Sequence, residues 1–506
     1  MVDPHILLIV LAVLVHDAMG ITGPTLDSAL PPWLSGLTVP LGVILLQHLA
    51  IMHTTRCLTR SSDLRWVEVV RWMQRLGATI GLVAFLLALF GHGWLAWVRT
   101  HVGDMILVDE ALAVLPALLV IVCGWFSSSR MEQVLRDAVI IRRVEAGQDI
   151  HPPHSRLSIL LDRIRHRAAL ILLPIALLVS WSETVSLLHA RALRERWLGL
   201  TESRADLIAN TLEFGAIVVL IVVMPLMLRL FWRTSELGPG TLRDTLESMC
   251  KRHRVRVRSI LVWWTHGTML NGAVIGILRW TRMILLTDEL LATLRIEEIE
   301  SVMAHEIAHI KRHHIQWMLL LLVGALLGLT LLADLIARAI PLALGNSVSD
   351  DAILLTQGVA TSIGLLALIH VFGVVSRRFE RQADAFAVQH ASGMGGDNPT
   401  GFGLVAQPVA IEAMAGSLER IAAINGIPMR KRMYRHGSLA SRVSALRELV
   451  GVPLDHFDID RVVRRTKRTM LLVIVLLGGV LGVLYALLPD PAREKAPTDG
   501  WVLVID

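Results

Sequence analysis

Long apolar runs recur along this chain of 506 residues and constrain its fold more than any other feature. The hydrocarbon core of a bilayer is about 30 Å thick, so about 20 consecutive apolar residues in a helix can cross it. Hydrophobic residues make up 54% of the chain and the mean hydropathy is +0.58, far above a soluble domain. The sequence therefore predicts a mainly α, polytopic helical membrane protein with about eight or nine transmembrane helices. The predicted spans lie near residues 37–54, 76–98, 107–126, 168–188, 211–231, 316–337, 352–375 and 469–487, with a weaker candidate at 5–19.

Arginines cluster in two of the loops between these runs and predict the orientation of the chain. Loops rich in Lys and Arg stay on the cytoplasmic side of a membrane. Alternation of the spans then places residues 232–315 and 376–468 in the cytoplasm, whereas the loop 338–351, with a single basic residue, lies outside. The clusters are Arg56, Arg60, Arg65, Arg71 and Arg75 in one loop, and Arg130, Arg136, Arg142, Arg143, Arg156, Arg163, Arg165 and Arg167 in the other.

Charge and cysteine content exclude two further classes of protein. The net charge of +6 comes almost wholly from arginines between apolar runs, so it reflects orientation in the membrane, and no nucleic-acid partner is predicted. Cys57, Cys123 and Cys250 are too few and too scattered for a disulfide framework or a cysteine metal site. Any metal must therefore be held by histidines and carboxylates. The apolar stretch 6–15 has no basic residues before it and no small-residue cleavage site, so no removable signal peptide is predicted.

The two long segments predicted to be cytoplasmic have the pattern of a folded α+β domain. The run from Arg254 alternates basic and apolar residues, and 269–286 offers further extended stretches, which predicts a small antiparallel sheet. Thr287 and Asp288 cap a helix over DELLATL, and a second helix begins at Glu297. The predicted domains are an N-terminal transmembrane region of uncertain role (1–231), the first half of a catalytic domain (232–315), a transmembrane hairpin (316–375), the second half of that domain (376–468), and a C-terminal transmembrane helix with a short tail (469–506).

The second of these helices carries the segment MAHEIAHIKRHH, which contains the pattern His-Glu-x-x-His. Residues four apart lie on one helical face, so His305 and His309 can present imidazoles to one cation. Glu306 lies beside them, where it can accept a proton from an attacking water. This is the geometry of metal-assisted peptide hydrolysis. The pattern needs a third ligand, and the basic residues and histidines from Lys311 to His314 are interpreted as a flank at the membrane interface.

The segment SRRFERQADAFA, after the predicted hairpin, supplies a candidate third ligand. Glu380 and Asp384 are again four residues apart, so one helix can offer Glu380 to the metal and Asp384 as an acceptor that orients a histidine ring. Both half-sites adjoin the predicted hairpin 316–375 on the same side of the membrane. The hairpin can therefore bring the two half-sites together.

At this point the sequence resembles a known family, the integral-membrane zinc metallopeptidases that include bacterial HtpX and the eukaryotic CAAX prenyl endopeptidases. The resemblance covers roughly residues 230–450 and implies a cytoplasmic zincin-like α+β catalytic domain of the HExxH gluzincin type. It implies one Zn²⁺ per chain, bound by His305, His309 and Glu380, with Glu306 as general base and Asp384 orienting a ligand. It rests on NGAVIGILRWTRMILLTDELL (271–291), EEIESVMAHEIAHI (297–310), SRRFERQADAFAV (376–388) and HGSLASRVSAL (436–446).

The same resemblance assigns residues outside the metal set. His436 and Arg442 match the family's His and Arg that help to stabilise the oxyanion of the tetrahedral intermediate. Asn271 and Gly272 match the strand against which a substrate backbone pairs by β-augmentation. The chain departs from the family at two places, since it has Asn271-Gly272 for Asn-Ala and His436-Gly437 for His-Pro.

Two classes of function fit these residues. The first is a metalloendopeptidase that hydrolyses peptide bonds of membrane proteins or peptides at the cytoplasmic face of the bilayer. The second is a non-catalytic membrane sensor or transporter that retains a peptidase-like zinc site while the N-terminal helices do the main work. Replacing Glu306 by glutamine separates them, because the change preserves the metal ligands and removes the base. The residues favour the endopeptidase, with the lipid bilayer and a protein or peptide substrate as partners.

Overall fold

The chain folds into two compact units, Met1–Arg233 and Thr234–Asp506. The computed structural model describes residues 3–18, 23, 24, 26, 30–61, 63, 65–145, 155–195, 201–265, 269–344, 348–396 and 398–487. Helices dominate both units, and the sheet of the described residues lies in the second unit. The predicted tail after residue 487 lies outside the described residues.

Eight helical segments of the described chain are long and apolar enough to cross a bilayer, which confirms the predicted multi-pass membrane architecture. The helix Pro4–Asp17 is apolar but shorter. At 1.5 Å per residue it is roughly 21 Å long, less than the hydrocarbon core of a bilayer. The eight segments are Leu34–Ser61, Arg65–Gly91, Val108–Asp137, Arg156–Arg194, Glu202–Phe231, His314–Ala343, Ala352–Ala391 and Leu454–Leu484.

The first unit is built from helices. Its core packs Leu89, Trp94 and Leu95 among several helices, and all three side chains are buried. The guanidinium of Arg99 lies 2.7 Å from Asp109 and 2.9 Å from Glu110, so charges that are costly in an apolar bundle are paired. The helices are α1 (Pro4–Ala18), α2 (Val39–Ser61), α3 (Arg65–Leu86), α4 (Trp94–Val102), α5 (Val108–Glu145), α6 (Arg156–Arg163), α7 (Leu170–Arg194) and α8 (Glu202–Phe231).

The second unit mixes a sheet with helices. Its strands are β1 (Thr234–Glu236), β2 (Ser259–Trp263), β3 (Gly272–Ile275) and β4 (Met283–Thr287). Its helices are α9 (Thr241–Arg252), α10 (Asp288–Thr293), α11 (Ile296–Lys311), α12 (His314–Leu344), α13 (Asp350–Ala391), α14 (Pro408–Ile424), α15 (Leu439–Arg447) and α16 (Asp458–Leu487).

The sheet is mixed, so the prediction of a purely antiparallel sheet was wrong. The strand order is β1-β2-β4-β3, and β4 pairs parallel to β2 but antiparallel to β3. The chain passes from β2 to the edge at β3 and then returns through the centre as β4. Alternating apolar residues predict that strands exist, whereas strand order depends on contacts between distant segments. The consequence for the site is that β3 occupies one edge of the sheet.

Strand β2 begins at Ser259, five residues later than the alternating run suggested. Arg254 has a left-handed backbone with φ of 55°, and the amide of Val255 donates to the carbonyl of Cys250. These bonds close the C-terminus of α9, so the start of the alternating run belongs to a helix cap. The predicted strand therefore forms only over Ser259–Trp263, where Ile260, Leu261 and Val262 are buried in the core.

Helix α11 forms the centre of the second unit. Thr287 caps the preceding helix α10 as predicted, and the carboxylate of Glu298 accepts from the amide of Arg295 to start α11. Glu298 is buried and also pairs with Arg420 of α14 at 3.0 Å. Helix α11 then buries Ile299, Met303 and Ile307 in the core that it shares with the sheet and with α13 and α14. A buried helix with paired polar ends provides a rigid base for functional side chains.

Helix α13 connects the apolar hairpin directly to this core. It runs without a break for 42 residues, so the same helix that contains the predicted span 352–375 also carries Glu380 and Asp384. Near this junction Phe379 of α13 packs with Leu321 of α12 and with Val463 and Met470 of α16. The positions of Glu380 and Asp384 therefore depend on the packing of three long helices.

Candidate active site

The two histidines of the His-Glu-x-x-His pattern face one another on α11. Their Nε2 atoms are 3.2 Å apart, and the His305 residue is only 8% exposed. One helical turn separates the two residues, which is why their rings project from the same face. The helix therefore presents two imidazole nitrogens to a single point.

The carboxylate of Glu380 approaches that point from α13. Its oxygens lie 3.7 Å from the Nε2 of His305 and 3.9 Å from the Nε2 of His309, and the three ligand atoms lie within 4.8 Å of one another. Donors around a tetrahedral zinc ion at 2.0–2.2 Å are separated by roughly 3.3–3.6 Å. Two imidazoles and one carboxylate with an open fourth position are also the donor set of a catalytic zinc site. The spacing and chemistry of these residues therefore fit one zinc ion.

Asp384, one turn further along α13, lies against the outer face of His305. Its Oδ1 is 2.9 Å from the Nδ1 of His305. A carboxylate can only accept, so Nδ1 carries the proton and the Nε2 lone pair faces Glu380 and His309. Burial alone would lower the pKa of His305, but the close carboxylates of Asp384 and Glu380 raise that pKa above its ordinary value. Asp384 thus sets both the orientation and the basicity of the ring.

Arg442 of α15 closes the site from behind. Its Nε and Nη2 donate to the two oxygens of Asp384 at 2.7 and 2.6 Å, and its Nη1 lies 3.2 Å from Glu380. The residue is 6% exposed. Every one of these contacts goes to a carboxylate of α13, so the guanidinium compensates the negative charge of Glu380 and Asp384 in a buried setting.

Glu306 lies between the metal-ligand cluster and the edge strand β3. It is buried, and its carboxylate accepts a hydrogen bond from the backbone amide of Val274. Burial raises the pKa of Glu306 above the ordinary value of a glutamate. A carboxyl group with a raised pKa can both take and release a proton near neutral pH.

The strand β3 approaches Glu306 most closely at Gly272. A Cβ atom at this position would lie 2.9 Å from Cγ1 of Val302 and 3.6 Å from Oε1 of Glu306. The neighbouring Asn271 is held in place by its backbone, since its amide donates to the Thr287 hydroxyl and its carbonyl accepts from the Thr287 amide. Glycine at 272 therefore removes a side chain from the space between β3 and α11.

His436 reaches the site from a turn before α15. Its Nδ1 is 3.0 Å from Oε2 of Glu380, and its side chain is 45% exposed. The turn is closed by two bonds of 2.9 Å between the backbones of Met433 and Gly437, and Gly437 has φ of 72°. The family that the sequence resembles has proline at the position of Gly437. Proline is restricted to φ near −65°, so it would not fit this backbone. Gly437 allows a different turn that still brings His436 to Glu380.

The prediction that His314 belongs to a flank at the membrane interface was wrong. The prediction of an interfacial flank agrees with the exposed His313, but His314 is 2% exposed and lies 3.0 Å from His309. The left-handed backbone of His313, with φ of 57°, ends one helix and turns the next histidine inward. The cause is the break between α11, which ends at Lys311, and α12, which begins at His314.

Together, these residues form a largely buried cluster that could hold a metal ion, in a chain with eight described helices long and apolar enough to cross a membrane. Residues 241–450 match Peptidase family M48, and this match together with the eight membrane-length helices supports a membrane metalloprotease. The resemblance noted from the sequence is thereby confirmed at the level of the peptidase family. The chain is similar in structure to the crystal structure of S. mikatae Ste24p, with a TM-score of 0.46 and 15% sequence identity. The aligned region covers 83% of this chain and 100% of the Ste24p chain. No curated protein matches the chain.

Proposed function

We propose that the chain is a zinc-dependent endopeptidase that cleaves membrane proteins or peptides at the cytoplasmic face of the bilayer. The observation that carries the proposal is the convergence of His305, His309 and Glu380, with Glu306 buried beside them. These three ligands come from α11 and α13, and they leave one coordination position open. An open position distinguishes catalytic zinc sites from structural ones.

His305, His309 and Glu380 would hold the zinc ion. When bound, zinc supplies a Lewis acid that polarises the scissile carbonyl and lowers the pKa of water. The residues of the chain do the rest of the chemistry. Asp384 and Arg442 keep the ligands oriented, and Glu306 takes the proton from the attacking water and passes it to the leaving amine.

The substrate would pair with the outer edge of β3. Among the described residues no strand pairs with that edge, and the Val274 amide there points to the Glu306 carboxylate. An extended peptide that adds to this edge would run past Asn271 and Gly272 and bring one of its carbonyls to the cluster. The missing side chain at 272 leaves room for the substrate backbone close to Glu306.

His436 and Arg442 would have different roles. His436 is half-exposed and borders Glu380, so it can donate a hydrogen bond to the oxyanion that forms from the scissile carbonyl. Arg442 donates to Asp384 and Glu380 and is buried behind them. We therefore assign Arg442 to positioning of the ligands, which modifies the role in oxyanion stabilisation expected from the resemblance.

Orientation of the site rests on the arginine-rich loops. The positive-inside rule places the loops after the spans 37–54 and 107–126 in the cytoplasm, and alternation then places α11 there as well. In a variant whose native cysteines are replaced by serine, Glu297→Cys should react with a membrane-impermeant maleimide only after the membrane is opened. Ser349→Cys, in the loop expected outside, should react in intact cells. The reverse pattern would overturn the assignment.

The decisive experiment compares the detergent-purified full chain with its Glu306→Gln variant, using unfolded casein as the reporter. Wild type should bind about one zinc per chain and cleave casein, whereas Glu306→Gln should bind zinc and lose about 10²- to 10⁴-fold in rate. Glu297→Gln, an exposed position on the same helix, should behave as wild type. A wild type without zinc, or a Glu306→Gln variant that cleaves at the wild-type rate, would overturn the proposal. A function of the chain in cells that survives Glu306→Gln would favour a sensor or transporter.

A further inference from the structure

A chain of hydrogen bonds, buried or partly buried, extends from the back of His309 to the start of α16. The Nδ1 of His309 is 3.0 Å from the Nδ1 of His314, and the Nε2 of His314 is 2.9 Å from Oε1 of Gln382. The amide nitrogen of Gln382 in turn donates to the carboxylate of Asp460. The four residues belong to α11, α12, α13 and α16.

The direction of every proton in this chain follows from its last member. Asp460 as a carboxylate can only accept, so the amide nitrogen of Gln382 must face it and the amide oxygen must face His314. The Nε2 of His314 is therefore the donor, which leaves its Nδ1 as an acceptor. His309 must then donate from Nδ1, so its Nε2 carries the lone pair on the side of His305 and Glu380.

The middle of the chain is buried and held in place by packing. His314 and Gln382 are both buried, and the ring of His314 stacks on Phe379 with centroids 4.3 Å apart and planes 7° from parallel. Asp460 is fixed by a second donor, since the amide of Gln389 lies 3.3 Å from its other oxygen. Buried polar groups are costly unless they are satisfied, so a fully paired chain favours one arrangement of its members.

We propose that His314, Gln382 and Asp460 form a relay that fixes the tautomer and orientation of His309 for metal binding. His314 is thus a positioning residue, and the C-terminal helix α16 contributes to the metal site through Asp460. The inference rests on the proposed zinc site. It also explains an asymmetry, because His305 is oriented directly by the Asp384 carboxylate whereas His309 is oriented by a neutral imidazole.

The test measures the zinc affinity of the purified full chain by competition with a chromophoric chelator. His314→Phe keeps the aromatic stack but removes the acceptor, so zinc affinity should fall about 10- to 100-fold. In His314→Asn the amide oxygen takes the place of Nδ1, and most of the affinity should return. The absorption spectrum of the cobalt-loaded protein should change in His314→Phe and resemble wild type in His314→Asn. Such a rescue is not expected from loss of packing alone.

Controls separate the relay from folding and from the proposed function. His390→Phe removes another buried histidine of the same unit, which pairs with His253 and not with the ligands, and should leave zinc affinity unchanged. Gln382→Leu breaks the relay one step further away and should weaken zinc binding even if His314→Phe fails to fold. Wild-type zinc affinity in both His314→Phe and Gln382→Leu would overturn the relay while leaving the peptidase proposal intact. A wild-type chain that binds no zinc would overturn both.

Discussion

The guanidinium of Arg442 donates two hydrogen bonds of 2.6 and 2.7 Å to the carboxylate of Asp384, and both residues are buried. This bidentate pair joins α15 to α13, directly behind the ring of His305. Since Asp384 orients that ring, the pair couples the packing of α15 to the geometry of the metal-ligand cluster. Removing either partner would leave an unpaired charge in the core.

We expect Arg442→Ala to destabilise the catalytic unit by about 3–5 kcal/mol, because Asp384 and Glu380 would remain buried without their counter-ion. Zinc affinity should fall as well. Arg447→Ala on the same helix is the matched control, since Arg447 pairs with Glu412 and Glu419 at the exposed surface and surface pairs contribute little. Thermal unfolding in detergent measures both variants. Equal melting temperatures for the two would contradict the assigned role of Arg442.

The narrow space between Gly272 and Val302 predicts that a substitution at Val302 compensates for a substitution at Gly272. Gly272→Ala should place its Cβ against the stiff side chain of Val302, at 2.9 Å, and destabilise the unit by about 1–3 kcal/mol. The same change should lower kcat/KM, because β3 would shift away from Glu306. The double variant Gly272→Ala with Val302→Ala restores the space, so it should recover activity and lose less stability than the sum of the two single variants. If the double variant is no better than the single one, the contact with Val302 is not the cause.

Alanine substitutions at Gly437, in the turn before α15, and at Gly426 should have similar effects on stability but different effects on activity. Gly437 and Gly426 have φ of 72° and 61°, so alanine at either position should cost about 1–2 kcal/mol in backbone strain. Only Gly437→Ala should also reduce the rate of peptide cleavage, because Gly437 closes the turn that carries His436. Zinc content should stay at the wild-type level in both variants. Equal activity of the two variants would argue against a role for His436 in the reaction.

The buried carboxyl of Glu306 predicts an acid limit for activity. It must be deprotonated to accept a proton, and burial raises its pKa above the ordinary 4.5, so kcat/KM should fall with decreasing pH earlier than for an exposed glutamate. Zinc content measured at each pH is the control. Burial lowers the pKa of His309 to about 4, so this ligand remains neutral over most of the range. A rate that stays constant below pH 4.5 with zinc retained would contradict the prediction.

The local features of the chain were predictable from its sequence. Runs of apolar residues determine which helices can cross a bilayer, and each of the eight predicted runs overlaps a helix of sufficient length. The run predicted over 76–98 was placed too far along the chain, because that helix ends at Gly91 and residues 94–98 belong to the short helix α4. The spacing of His305 and His309 places them on one helical face, and Thr287 begins α10 as its residue type suggests. These properties depend on helix period and on the chemistry of caps, both of which act between residues close in sequence.

Only the tertiary structure decided which distant residues meet. Three features depend on segments far apart in the chain: the strand order of the sheet, the burial of His314 and the ion pair between Arg442 and Asp384. His314 follows a basic run that is typical of a membrane flank, yet the turn at His313 and the stack on Phe379 draw it into the core. Sequence spacing by itself determined what α11 offers to a metal ion. Packing of α11 against α13, α15 and α16 decided how those side chains are held, because burial and hydrogen bonding select among the orientations that local geometry leaves open.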